Sequence, residues 1–316
     1  MCQKLWEKIR KADSIAIAGH VRPDGDCVGS CMALYQYIKK EYPEKNTAVF
    51  LENIPERFAY LYQGLDVHTE VNSDQTYQLF LALDCSDQER LGEAQQLLER
   101  ADTVICIDHH ISNEGYGQLN YIAPKASSTA EVLFELLDEE KIDQAIATSL
   151  YLGIIHDSGM FRYENTSRRT MEIGGILLEK GVKQSDLADR TVNGKTYVQN
   201  QILGRVLLES ILLMDKQVVA SWVTMRMMEF YGAVTDDLEG IVEQLRLTEG
   251  VEVAIVLHEI EPLVYKVSMR SKERVDVSRI ACHFGGGGHI RAAGCTMTGT
   301  YYDVLNSITE QIDMQL

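Results

Sequence analysis

The sequence is short of positive charge. Thirty Lys and Arg face 47 Asp and Glu across 316 residues, a formal net charge of −17. A protein that grips long duplexes by neutralising phosphates needs basic surface, so long duplex DNA is excluded as a partner. Small phosphorylated ligands stay open, because bound cations reverse a local field. Long apolar runs are also missing. None approaches the length that spans a bilayer, so no membrane association is expected. Residues 1–10 are charged and amphipathic and lack the apolar stretch of a signal peptide. A reduced, cytoplasmic setting is the expectation. Cysteine supplies no framework either: the seven, at Cys2, Cys27, Cys31, Cys85, Cys106, Cys282 and Cys295, are odd in number. Cys27 and Cys31 have a zinc-like spacing without a second Cys/His pair, and read as small buried residues on a helix. No repeat or low-complexity tract is present apart from Gly285–Gly288.

What is present is an ordinary globular composition, 45% hydrophobic and 24% charged, in a chain long enough for two domains. Apolar runs at 15–18, 47–51, 79–83 and 103–107 read as strands, with helical periodicity between them over 27–42 and 88–100. That alternation predicts an α/β fold with a doubly wound, mostly parallel sheet. Ser128 and Glu131 have capping-box spacing for a helix through Asp138, and a helix from Asp143 towards His156 delivers Asp157. Residues 195–214 read as one long helix. Beyond it, strands at 218–223, 251–257 and 263–269 and helices at 238–247 and 302–312 predict a second, smaller mixed α/β domain. The expected division is 1–190, a helical connector at 191–214, and 215–316.

The chemistry gathers at strand ends. Gly19-His20-Val21-Arg22-Pro23-Asp24-Gly25-Asp26 follows the first strand, where open α/β sheets place their sites, and Pro23 and Gly25 are expected to make the bend. Asp84 ends the third run, Asp108-His109-His110 the fourth, and Asp157 a helix. Each has a plainer reading alone: Asp84 or Asp157 as a helix cap, the His pair as a polar turn. Together they point to metal, because carboxylates sharing a cleft repel and need a cation. Two divalent ions joined by one carboxylate answer that need economically.

The motifs GHVRPDGD, ALDCSD, IDHH and HDSG, with VSMRSK at 267–272 and VDVSRIACHFGGGGHIRAAG at 275–294, resemble the DHH phosphoesterase superfamily with its DHH-associated C-terminal domain. The resemblance spans nearly the whole chain, and its size and two domains look like the NrnA-type enzymes. It implies a phosphoesterase acting on short oligoribonucleotides and 3′-phosphoadenosine 5′-phosphate (pAp), with the site in the cleft between the domains. His20 and Asp24 would hold one metal, Asp26, His109 and Asp157 the other, and Asp84 would bridge. Mixed oxygen and imidazole ligation suits Mn²⁺ better than Mg²⁺ and leaves Co²⁺ and Zn²⁺ open. Asp108 would orient a ligand histidine, and His110 would face substrate. In the second domain Arg270, Ser271, Gly286, Gly287, Gly288 and His289 would bind a substrate phosphate, the glycines by close backbone approach and a following helix start by its dipole. Arg162 is a further candidate contact. Phosphodiesterases of cyclic di-AMP or pApA share these motifs and remain an alternative. A family II pyrophosphatase ranks lower for want of the GGGGH element, and an inactive nucleotide sensor ranks lower because all six metal ligands are present. Oligomeric state is left open, with a homodimer as one option.

Overall fold

In a computed structural model of the chain, the residues described are 2–72, 74–191 and 194–316, without the side chain of Cys2. They fall into two compact units, one ending at Gly194 and the other spanning Lys195–Leu316.

The first unit is built on β1 (Ser14–Ala18), β2 (Asn46–Phe50), β3 (Val67–His68), β4 (Leu79–Leu83), β5 (Thr103–Asp108) and β6 (Leu119–Ile122). Every neighbouring pair is parallel, in the order β3-β2-β1-β4-β5-β6. The chain winds outward from β1, then returns to lay β4 on its other side. The switch point of this doubly wound sheet is therefore the gap beyond β1 and β4, where His20 and Asp84 emerge. Both faces of the sheet are covered. Ile15, Ile17, Leu79 and Leu81 enter one core, and Ala16, Ala18, Phe80 and Ala82 another. Burial on both sides is why these strands are unbroken apolar runs.

The helices of this unit are α1 (Cys2–Lys11), α2 (Gly25–Glu41), α3 (Ala59–Tyr62), α4 (Gln95–Arg100), α5 (Thr129–Phe134), α6 (Gln144–Asp157), α7 (Arg168–Glu179) and α8 (Gln184–Thr191). α2 and α6 pack closely because Gly29 is small: a Cβ there would lie 2.4 Å from the Ser149 carbonyl oxygen. Val28, Met32 and Ile38 of α2 share one core with Leu150 and Ile154 of α6. Each such side chain contributes about 1.5–3 kcal/mol by leaving water. Two expectations change here. Residues 88–100 are a 3₁₀ turn (Gln88–Ala94) and then α4, kinked where Gly92 takes φ 58°. α5 stops at Phe134, and only half of its capping box exists. The Ser128 hydroxyl accepts the Glu131 amide at 3.1 Å, but Glu131 takes the Ser127 and Thr170 hydroxyls at 2.6 and 2.7 Å instead of reaching back.

The second unit holds α9 (Tyr197–Leu208), β7 (Ile211–Leu213), β8 (Val218–Val223), α10 (Met225–Tyr231), α11 (Ile241–Arg246), β9 (Val253–Glu261), β10 (Val264–Ser271), α12 (Val277–His283), β11 (Gly287–His289), β12 (Ala292–Thr298) and α13 (Tyr301–Asp313). Its sheet runs β11-β12-β10-β9-β8-β7, antiparallel except between β8 and β9. The single helix expected over 195–214 is a helix followed by a strand, because Ile211–Leu213 pair with Val218–Ala220. Residues 192 and 193 of the expected connector lie outside the described residues. The glycine run is not followed by a helix either: Gly287–His289 pair with Ala292–Gly294 as a hairpin, so no helix dipole acts there. Glycine is needed for that closeness, since a Cβ on Gly286 would meet the Gly294 carbonyl oxygen at 2.2 Å.

Candidate metal centre

The turn after β1 bends at Arg22, whose φ is 55°, and not at Gly25, which is already the first residue of α2. Asp24 caps that helix, its Oδ1 accepting the amides of Asp26 and Cys27 at 3.0 and 3.1 Å. Gly25 has a steric duty: a Cβ would lie 2.7 Å from Cγ and Cδ2 of His156. Asp26 is fully buried. Its Oδ2 accepts the Thr129 amide at 2.6 Å and its Oδ1 the Ala130 amide at 2.9 Å, both at the start of α5. Burial, and then the nearby carboxylates of Asp84, Asp157 and Asp24, push Asp26 well above the usual carboxylate range.

Asp84 leaves β4 in the left-handed region, φ 52°, a conformation that costs energy in a residue other than glycine. Its amide is held by the Ile107 carbonyl at 3.1 Å and its Oδ1 by the Thr129 hydroxyl at 3.0 Å. The carboxylate faces three imidazoles. Oδ2 lies 3.6 Å from His20 Nε2, and Oδ1 lies 3.6 Å from His110 Nδ1 and 3.8 Å from His109 Nε2. His20 Nδ1 donates to the Val21 carbonyl at 2.9 Å, which turns Nε2 towards Asp84 and Asp24. His109 Nε2 is buried with no hydrogen bond of adequate geometry, although Asp157 Oδ2 is 3.1 Å away and Asp26 Oδ2 3.9 Å. A buried imidazole nitrogen without a partner, faced by three carboxylates, suits a cation. The donor atoms of Asp26, His109 and Asp157 lie within 4.8 Å of one another, as do those of Asp24, His156 and Asp157. Cys27 stands nearby, its Sγ within 4.8 Å of donor atoms of His20 and Asp84, and burial pushes its thiol well up.

Neither Asp84 nor Asp157 is a helix cap. Asp157 ends α6, where the helix dipole disfavours a carboxylate. Burial alone would raise it, but His109 and His156 hold it down to about 2. Asp108 Oδ1 accepts the amides of His109 and His110 at 2.7 and 3.2 Å and the His110 ring Nδ1 at 2.7 Å, and Oδ2 accepts Asn113 Nδ2 at 2.6 Å. Burial would raise this carboxyl too, and His110 and Asn113 hold it below the usual range. The ring that Asp108 orients is thus that of His110; His109 turns its Nδ1 to the Ala126 carbonyl instead, 3.4 Å away.

Three contributors were not among the expected site residues: Thr129, Asn113 and His156. Of these only His156 carried a signal, standing next to Asp157 within HDSG. Arg162 is exposed, its Nε donating to the Gly159 carbonyl at 2.8 Å, and it is not part of the donor cluster. In the second unit, Arg270, Gly286, Gly287, Gly288 and His289 line one open groove of about 650 Å³. Ser271 does not: it is buried, its hydroxyl donating to the Ile290 carbonyl at 3.4 Å.

Residues 14–154 match the N-terminal domain model of the DHH family, and residues 215–316 match the DHHA1 domain. A relative from Thermus thermophilus, named bifunctional oligoribonuclease and PAP phosphatase NrnA, is 30% identical over 98% of this chain and 96% of its own. The chain belongs to the DHH family. A Bacillus subtilis relative of the same name is 28% identical, over 94% of this chain and 93% of its own. The fold is shared with an exopolyphosphatase-related protein from Bacteroides fragilis, at 24% identity and a TM-score of 0.89, covering 99% of this chain and 95% of that one. Within the DHH segment lie His20, Asp24, Asp26, Asp84 and the Asp108-His109-His110 motif, with Asp157 just beyond it. Among the described residues, no helix is long and apolar enough to cross a membrane.

Proposed function

We propose that this DHH-family chain is a metal-dependent phosphoesterase that hydrolyses short oligoribonucleotides and pAp. The observation that carries the reading is the cluster around the unpartnered His109 Nε2, in a chain whose near-full-length relatives are named for those two activities. On this reading residues 1–190 are the catalytic domain and 215–316 bind substrate, while the helix and strand of 195–214 belong with the second unit. Two divalent ions would be held, Mn²⁺ foremost: His20 and Asp24 would serve one, Asp26, His109 and Asp157 the other, and Asp84 both. When bound, the ions neutralise phosphoryl oxygens and make water a better nucleophile.

The chain's own residues supply orientation and protons. With Nδ1 tied to Asp108, His110 keeps Nε2 for a phosphoryl oxygen or for protonating the leaving oxygen. Arg270, with its forked donors, and His289 take a second phosphate, and the glycines beside them let backbone approach it. Ser271 serves there by fixing the Ile290 backbone. Short RNA and nucleoside bisphosphates are the partners, and the cytoplasm is the location.

A panel of pAp, a short RNA ladder, pApA, cyclic di-AMP and pyrophosphate, each with Mn²⁺, tests the reading. Phosphate release from pAp and mononucleotides from RNA are expected. Turnover confined to cyclic di-AMP or pyrophosphate, or none at all, overturns it.

A further inference from the structure

The site's carboxylates are not anchored alike. Asp24 accepts two backbone amides, Asp26 accepts two, Asp84 accepts the Thr129 hydroxyl, and Asp108 is saturated by His109, His110 and Asn113. Asp157 has none of this. Among the described residues, no amide or hydroxyl reaches its carboxylate, and the nitrogens that face it are imidazoles: His109 lies 3.1 Å from Oδ2 and His156 3.5 Å from Oδ1. The backbone of Asp157 is fixed separately, its carbonyl accepting Asn165 Nδ2 at 3.1 Å. Its side chain must therefore be aimed by the histidines. His109 cannot serve both a cation and Asp157, since its Nδ1 is turned to Ala126 and Nε2 is its only inward nitrogen. One anchor is left.

We propose that His156 is the positioning residue for Asp157, its Nδ1 drawing Oδ1 towards it at an ion-pair distance of 3.5 Å so that Oδ2 is the oxygen offered to the cation shared with Asp26 and His109. Gly25 is the other half of the device. Its φ is in the ordinary range, so nothing in the backbone calls for glycine; what forbids a side chain is the His156 ring, 2.7 Å from where a Cβ would stand. The ring, carried on α6, lies directly against the first residue of α2, which leaves it no room to turn that way. The two residues act as one unit, and neither was needed to explain the ligand set.

This inference rests on the metal-centre reading, and the experiment separates the two. The full-length protein is stripped with chelator, and Mn²⁺ binding is followed from the electron paramagnetic resonance signal of the free ion. His156→Leu is expected to weaken one class of sites roughly 10- to 100-fold, the usual cost of removing a group that orients a metal ligand. His156→Gln, which keeps an N–H donor, should recover most of that loss. Gly25→Ala should copy His156→Leu by displacing the ring, yet add nothing in a His156→Ala background, where no ring remains to displace. Wild-type protein that binds no Mn²⁺ would end the metal-centre reading itself. Wild-type binding with an unchanged isotherm in His156→Leu, its circular dichroism intact, overturns the inference. Should His156→Leu fail to fold, the Gly25→Ala pair decides alone: additive losses in the double variant overturn the inference equally.

Discussion

The carboxylate of Asp26 and the backbone amide of Thr129 meet at 2.6 Å inside the protein, while the hydroxyl of the same threonine reaches Asp84 at 3.0 Å. One residue at the start of α5 thus ties together two acidic groups from different elements, and does so with donors that favour their charged forms. Thr129→Val keeps the shape and the amide but loses the hydroxyl. The expected result is a roughly 10- to 100-fold loss of Mn²⁺ affinity or turnover, with unfolding free energy changed by about 1 kcal/mol. Denaturant titration beside a metal-binding isotherm checks both. Unchanged metal binding would show that Asp84 needs no such anchor.

Asp84 carries the strongest single demand. Asp84→Asn tolerates the left-handed backbone but presents one oxygen where two are proposed to be shared. Turnover on pAp at saturating Mn²⁺ should fall by at least about 100-fold, with the thermal midpoint nearly unchanged. Retained turnover would remove Asp84 from its bridging role.

Arg270→Ala should leave Mn²⁺ stoichiometry unchanged and still damage kcat/KM on pAp. A desolvated contact of this kind is worth about 2–5 kcal/mol, or roughly 30- to several-thousand-fold. The loss should shrink on an aryl phosphodiester that has no second phosphate. Equal losses on both substrates would move Arg270 into the chemical step.

Glu252 predicts a pH dependence of stability in the second unit. Its buried carboxylate accepts the amides of Glu273, Arg274 and Val275, the shortest at 2.6 Å. Burial would raise it, but these bonds hold it below its ordinary value of 4.5. Because the folded value is the lower one, the stabilisation is complete above 4.5 and disappears as pH falls through the folded value. Glu252→Gln should therefore cost about 1.5–3 kcal/mol at neutral pH, and the gap to wild type should narrow below the usual carboxylate range. Urea titrations across pH 3–7 measure it; a constant gap would mean that charge is irrelevant there.

The legible part of this molecule was what a local pattern can carry. β1, β4 and β5 are buried on both faces and so appear as apolar runs, and charged residues directly beyond them mark the switch point. β3, β11 and β12 are not legible: β3 has two residues, β11 is a glycine-rich strand defined by its pairing, and β12, although it pairs with β10 along its length, opens on the small residues Ala292-Ala293-Gly294 and not on an apolar run. Thr129 and His156 were missed for a related reason. Their duties arise only when α5 lies over Asp26 and α6 over Gly25, and no spacing within the chain encodes either approach. The sequence places the bend at Pro23 and Gly25, whereas the left-handed residue of the turn is Arg22.

The dispersal of the donors along the chain has a consequence in time. His20, Asp84, His109 and Asp157 belong to segments far apart in sequence, and two of them, Asp84 and His109, are held from elsewhere again, by Thr129 and Ala126. Loop closures on that scale are slow compared with helix formation. During refolding, secondary structure should return well before the capacity to capture an ion. Ion capture is then a clock for the last stage of folding.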